Sequence, residues 1–264
     1  MAQWTSLQAE IARFSSSSIG SISKFSKETG PVIGPLAAAV AENFADAGPF
    51  YNSVDYFKAV GEARYREACS TAEEDGADPF VVLGSFIFRD IVENTDIYKG
   101  PHSNGPFHFN HMDLGTQNIL VDDEFNFVGI IDWEFAQTAP FEVNHYPMPF
   151  PLISSDAETD EILRAPEHVA HKNVTGQSLA RDMYKRGFLM AEKALAEKGS
   201  ALQHSIAGIL NGPGSRIFAA LEKIAVFDGM AEELTYEMVR LGLGFQGADA
   251  RNYIESMRIK MERG

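Results

Sequence analysis

From Asn118 to Asp132 the hydrophobic period of the chain changes, and that change limits the folds open to it. Two short apolar runs, NILV and FVGIID, flank the polar DDEFN. Runs of this length between turn residues fold as a small antiparallel hairpin. On both sides the spacing is mostly helical. Upstream it predicts a helix from Trp4 to Phe14, a second that opens on Ser53 as N-cap and runs to Thr71, and a third capped by Asp78 with Pro79 in its first position. Phe80, Leu83, Phe86, Ile87, Ile91 and Val92 surround most of that third helix, which should therefore lie at the centre of the domain. Ile19, Ile22, Phe25, Val32 and Ile33 recur at near-strand spacing in a stretch rich in Ser, Gly and Pro, and predict a short irregular hairpin. Downstream, helices are expected over 158–171, 176–198, 202–210, 215–227, 231–243 and 248–261. Helices, a hairpin and more helices make a mainly helical α+β fold in which the hairpin is a local platform for chemistry.

Composition narrows the function. A chain of 264 residues, 45% of them hydrophobic, can bury one substantial core. Lys+Arg 22 against Asp+Glu 37 leaves a net charge of −15, and no basic cluster reverses it locally. Nucleic acid and anionic membrane surfaces are therefore poor partners, whereas divalent metals or a cationic small molecule would be attracted. Cys69 is the sole cysteine, which excludes an internal disulfide and a four-thiolate zinc site. With no basic-then-apolar leader after Met1, a cytoplasmic location is expected. The most apolar segment, Asp78 to Tyr98, is interrupted by Arg89, Asp90 and Glu93 and reads as a buried helix rather than a membrane span.

The hairpin ends and the loop before them carry the chemistry. Asp113 stands two residues after His111, Asn118 five after Asp113, and Asp132 beyond the hairpin. A hairpin folds back on itself, so Asn118 at the start of one strand and Asp132 at the end of the other can meet around a cation. Mg²⁺ takes one or two carboxylates and completes its shell with water and substrate phosphate. Asp113, on the preceding loop, can accept a proton instead. This is the catalytic set of the protein kinases. Within it, His111, Asp113, Leu114, Asn118, Ile119, Leu120, Val121 and Asp122, followed by Ile131, Asp132, Trp133 and Glu134, resemble the aminoglycoside phosphotransferase and choline kinase-like family. Met112 stands where that family has Gly. The resemblance implies an ATP- and Mg²⁺-dependent phosphotransferase acting on a small-molecule hydroxyl. Asp113 would be the general base or hydroxyl-orienting group, Asn118 and Asp132 the magnesium ligands of the cofactor site, and His111 a brace for the loop.

The resemblance also implies a protein kinase-like carboxy-terminal lobe, and it leaves a gap. The family's amino-terminal lobe supplies a Gly-rich strand-turn-strand, a strand Lys and a helix Glu around the nucleotide. Gly20, Gly30 and Gly34 do not form the Gly-rich motif, and Lys24 and Lys27, in the Ser-rich hairpin, read as solvated. Residues 1–264 are therefore read as a single carboxy-terminal-lobe domain whose ATP-binding lobe is largely absent, with 1–50 a remnant of that lobe or a linker to it. Two outcomes stay open: a truncated phosphotransferase served by a separate amino-terminal lobe, or a non-catalytic kinase-like binding module. A third reading makes His108, His111 and Asp113 a metallohydrolase triad. Candidate substrate determinants are Glu142, His145 and Tyr146 on a Pro-rich segment. Asp156, Glu158, Asp160 and Glu161, with Ser154 or Ser155 as caps, are more simply explained by the helix dipole.

Overall fold

The computed structural model describes residues 1–28, 30–37, 46–72, 78–146, 156–224, 226 and 229–263. In chain order these form α1 (Ala2–Ile11), β1 (Ser15–Ser16), β2 (Ile22–Ser26), β3 (Gly30–Ile33), α2 (Ser53–Thr71), α3 (Pro79–Asn94), β4 (Phe107–Asn110), β5 (Ile119–Val121), β6 (Phe127–Ile130) and β7 (Gln137–Ala139). They continue as α4 (Asp156–Arg164), α5 (His171–Glu197), α6 (Ile206–Ile209), α7 (Pro213–Ile224), α8 (Ala231–Leu243) and α9 (Gly247–Arg263).

Helix α3 is the axis of the helical part, as its all-round apolar pattern requires. Asp78 accepts a hydrogen bond from the Phe80 amide (2.9 Å) to start it, and α2, α7, α8 and α9 pack around it. Ile87, Phe88 and Ile91 have no exposed surface. Gly84 sets the closest approach: a β-carbon there would lie 2.6 Å from Thr235 Oγ1 on α8 and 2.7 Å from Ile224 Cδ1 on α7. A larger residue would push these helices apart.

The β-structure is more extensive than the sequence pattern predicted. The expected hairpin is β5–β6, pairing Ile119 with Ile130 and Leu120 with Gly129 before a bulge near Val121. The Ser-rich hairpin is β2–β3. Beside them lies an antiparallel sheet in the order β1-β4-β7, which pairs Ser15 with His108 and Phe109 with Thr138. This sheet stops the first helix early. The Phe14 carbonyl accepts from the Phe109 amide (2.8 Å), so the helix ends at Ile11 rather than at Phe14.

Other boundaries also move for local reasons. The cap of α2 is Asn52, whose side chain accepts from the Asp55 amide (2.8 Å), and Ser53 is the first helical residue. The expected break before Gly176 is absent, because α5 runs unbroken from His171 while packing on α1, with Trp4 edge-on to Tyr184 and Gln8 accepting from the Tyr184 hydroxyl (2.7 Å). Tertiary packing here overrides weak helix formers. The helix expected over 202–210 is the short α6, capped by the Ser205 hydroxyl. Ser154 and Ser155, expected as caps, and the side chains of Asp156 and Glu158 lie outside the described residues. Among the described residues, no helix is long and apolar enough to cross a membrane.

Candidate functional site

Strand β4 delivers the chain to the loop that carries Asp113. Asn110, the last residue of β4, accepts from the Met112 amide (2.9 Å) through its side-chain oxygen and so fixes a turn in which Met112 has φ 66. The family's Gly at this position suits that left-handed backbone, and Met112 takes it with the help of the Asn110 cap. Asn110 is itself held by Asn144, which accepts from its amide (3.0 Å) and donates to His108 Nε2 (2.9 Å). Neither asparagine stood out in the sequence, although an Asn two residues before a turn amide is a recognisable cap.

His111 is buried, with Nε2 3.0 Å from the Ile131 carbonyl. A carbonyl only accepts, so Nε2 carries the proton. This bond ties the loop before β5 to the residue preceding Asp132. Trp133 covers the same junction: its ring is 4.7 Å from that of His111, and its indole N–H donates to the Ile130 carbonyl (3.1 Å). Asp132, between these anchored neighbours, has φ 64, a conformation that short polar side chains tolerate better than most.

The hairpin brings its two ends together. The Ile131 amide donates to the Asn118 carbonyl (3.0 Å), so Asn118 at the foot of β5 and Asp132 just past β6 are neighbours. Asn118 is buried, and its side-chain nitrogen donates to both the Asp113 carbonyl (2.8 Å) and the Asp113 carboxylate (3.0 Å). The two N–H groups of one amide are thereby used, and its oxygen remains for another partner. The reverse orientation would set that oxygen against a carboxylate. Asp132 is exposed and makes no side-chain hydrogen bond or ion pair among the described residues. The far end of the hairpin is closed by Asp122, which accepts from the Asn126 side chain (3.0 Å) and from the Asn126 (2.7 Å) and Glu124 (3.0 Å) amides. These bonds, that from the Asn126 side chain first, hold its carboxyl below the usual range.

One carboxylate and one amide oxygen, with open solvent beside Asp132, could supply part of an all-oxygen shell of the kind Mg²⁺ accepts. Among the described residues, no group of three or more His, Cys, Asp or Glu side chains is placed to hold a metal. That corrects the metallohydrolase reading. His108 lies on β4 with Nε2 facing the Asn144 amide and its ring stacked 4.3 Å from Phe141, and burial lowers its pKa to about 4. It is a neutral internal imidazole that braces Asn144. Lys24 on β2 and Lys27 in the following turn are exposed, as expected. Of the other candidates, Glu142 is partly buried near Gly214 at the start of α7, and burial raises its pKa. Tyr146 donates to Asn211 (3.0 Å) beneath the Arg181 guanidinium.

Residues 46–143 match the phosphotransferase enzyme family. No curated protein and no solved structure is significantly similar to the chain. The matched segment runs from before α2 to just past β7 and contains His111, Asp113, Asn118 and Asp132, whereas α4 to α9 lie outside it.

Proposed function

We propose that this chain, whose site-bearing segment is of the phosphotransferase family, transfers the terminal phosphoryl group of ATP to a small-molecule hydroxyl. The observation that carries the reading is the paired donation from Asn118 to Asp113, which orients the base and leaves the amide oxygen for a cation beside Asp132. Asn118 and Asp132 would hold Mg²⁺, which when bound neutralises charge on the phosphate oxygens. Asp113 aims the acceptor hydroxyl and takes its proton as the new P–O bond forms and the bond to the departing diphosphate breaks. Positioning and electrostatics of this kind supply most of the rate in phosphoryl transfer. His111 acts through the Ile131 carbonyl by fixing the chain on which Asp132 stands. Beside the cation site, Leu120 lies over Gly129, its Cδ1 3.4 Å from where a β-carbon would be. In this reading the nucleotide base would stack on that apolar pair. We further propose that the fold is a kinase-like carboxy-terminal lobe, with residues 1–50 a remnant of, or linker to, a separately supplied amino-terminal lobe.

The test is thermal melting with and without millimolar Mg²⁺ and ATP. Saturation at a hundred times the dissociation constant adds about 2.7 kcal/mol, or several degrees for a chain of this size. Asp132→Ala should remove the shift. Asp113→Asn should keep it while phosphoryl transfer, followed by ³¹P NMR, is lost. A wild-type protein whose melting is indifferent to the magnesium nucleotide would remove catalytic competence from this chain by itself and favour the non-catalytic module.

A further inference from the structure

Helix α5 keeps one face in water that its sequence does not suit to water. Among the described residues it packs on α1, α4 and α6, and Tyr184, Phe188, Ala191 and Leu195 are buried. Yet Leu179 is 60%, Met183 50% and Met190 72% exposed. These three belong to one stripe. Lys172, Leu179 and Arg186 repeat every seven residues, and Met183, Met190 and Glu197 form a second series that follows Leu179 by four. Positions spaced alternately by three and four run along one side of a helix, and they form the seam by which two helices pack. Single exposed apolar residues are ordinary, but a row of them at this period is a surface shaped for another helix.

The helix that this stripe fits is its own copy. Leu179 and Met190, Met183 and Arg186, and Lys172 and Glu197 are each placed symmetrically about the peptide bond between Tyr184 and Lys185. We infer that α5 is the interface of a homodimer, packed antiparallel on the same helix of a second copy about a two-fold axis through that bond. In this register Leu179 meets Met190 of the partner subunit, and Met183 lies along the aliphatic stem of Arg186 of the partner subunit. Lys172 stands opposite Glu197 of the partner subunit, and the exposed Asp182 flanks the partner's Arg186. Lys193 approaches Glu197 only to 3.9 Å with both side chains exposed, so that carboxylate can take a second cation. A parallel pair would instead set Lys172, Arg186 and Glu197 each against its own kind, so charge selects the antiparallel one. Such a contact is self-complementary and closes at two copies. With 27 residues α5 is about 40 Å long, but three large apolar side chains from each copy make a modest seam. The dimer is therefore a reversible one.

The experiment is sedimentation velocity on the full chain from micromolar to near-millimolar concentration, with thermal melting of the dilute protein as the check on folding. The sedimenting mass should rise with concentration from 29.0 kDa to twice that value. Met183→Glu sets a carboxylate from each copy into the seam and should raise the dissociation constant at least about a hundredfold. Because Met183 is exposed in the single chain, the melting temperature of the dilute variant should not change. Glu197→Lys, which faces Lys172 with a like charge, should raise the constant about tenfold, and adding Lys172→Glu to the same chain should restore it. A parallel pair would respond to neither reversal in this way, since it sets each position against itself. A mass of 29.0 kDa at every concentration overturns the inference and leaves the stripe to an unlike partner. A dimer that Met183→Glu leaves intact, or one whose Glu197→Lys defect Lys172→Glu does not repair, overturns it as well.

Discussion

Helix α3 and the β5–β6 hairpin are both rich in apolar residues, yet they treat them in opposite ways. On α3, Ile87, Phe88 and Ile91 are wholly enclosed. On the hairpin, Leu120 is 46%, Val128 64% and Phe125 77% exposed, and Ile131 and Trp133 are open beside the carboxylate of Asp132. Burial of this kind is what holds a domain together. Apolar side chains left in water next to a polar site contribute little to folding and mark a surface that meets something else. The difference separates residues kept for stability from residues available for function.

The largest effect expected from this contrast comes from Phe88. Phe88→Ala removes a ring packed near Tyr98 and Gly61 and should cost about 3–5 kcal/mol. Val128→Ser on the hairpin should stay within about 0.5 kcal/mol. Thermal melts of the two variants test the comparison directly, and equal losses would break it.

A smaller effect should appear on acidification. His108, beside Asn144 under the loop, has its pKa lowered to about 4 by burial, and His145 likewise, with Lys223 adding to the effect. A histidine whose folded pKa lies below its ordinary 6.5 stays neutral in the fold while the unfolded chain binds the proton. Its contribution to stability is therefore complete above 6.5 and lost progressively as the pH falls towards 4. For the fully buried His108 the loss approaches about 3 kcal/mol. Glu142, with its pKa raised by burial, works partly against this trend. The helical core has its own buried titratable group in Tyr98, whose pKa lies far above this window. Trp133 fluorescence should thus report acid unfolding near the hairpin no later than the helical circular dichroism signal. Full stability retained at pH 4 would refute the account.

The same contrast shows what could be read from the sequence. The helix at α3 and the hairpin at β5–β6 were legible because each repeats one period over its whole length, and Asp113, Asn118 and Asp132 stood out because polar residues interrupt apolar runs at family spacing. The β1-β4-β7 sheet was not, since Ser15 and Ser16 have no strand character of their own and pair only because β4 offers an open edge. Asn110 and Asn144 were missed for a related reason. Each acts through a partner distant in sequence, as when Asn110 meets Asn144, and no local pattern announces such a contact.

The smallest expected effect concerns how an exposed hairpin keeps its shape without a core. Gln3 on α1 reaches across to the β5–β6 turn, donating to the Phe125 carbonyl (3.2 Å) and accepting from the Phe127 amide (2.8 Å), so one side chain takes the place of an adjoining strand. Both bonds are exposed and compete with water, which limits their joint worth to about 1 kcal/mol. Gln3→Ala should therefore leave the melting temperature almost unchanged while speeding hydrogen exchange at the Phe127 amide several-fold. Exchange at the α3 amides should not change, because those bonds open only with the whole fold. A uniform rise in exchange across both regions would mean that hairpin and core unfold as one unit, and that the separation between them is one of exposure alone.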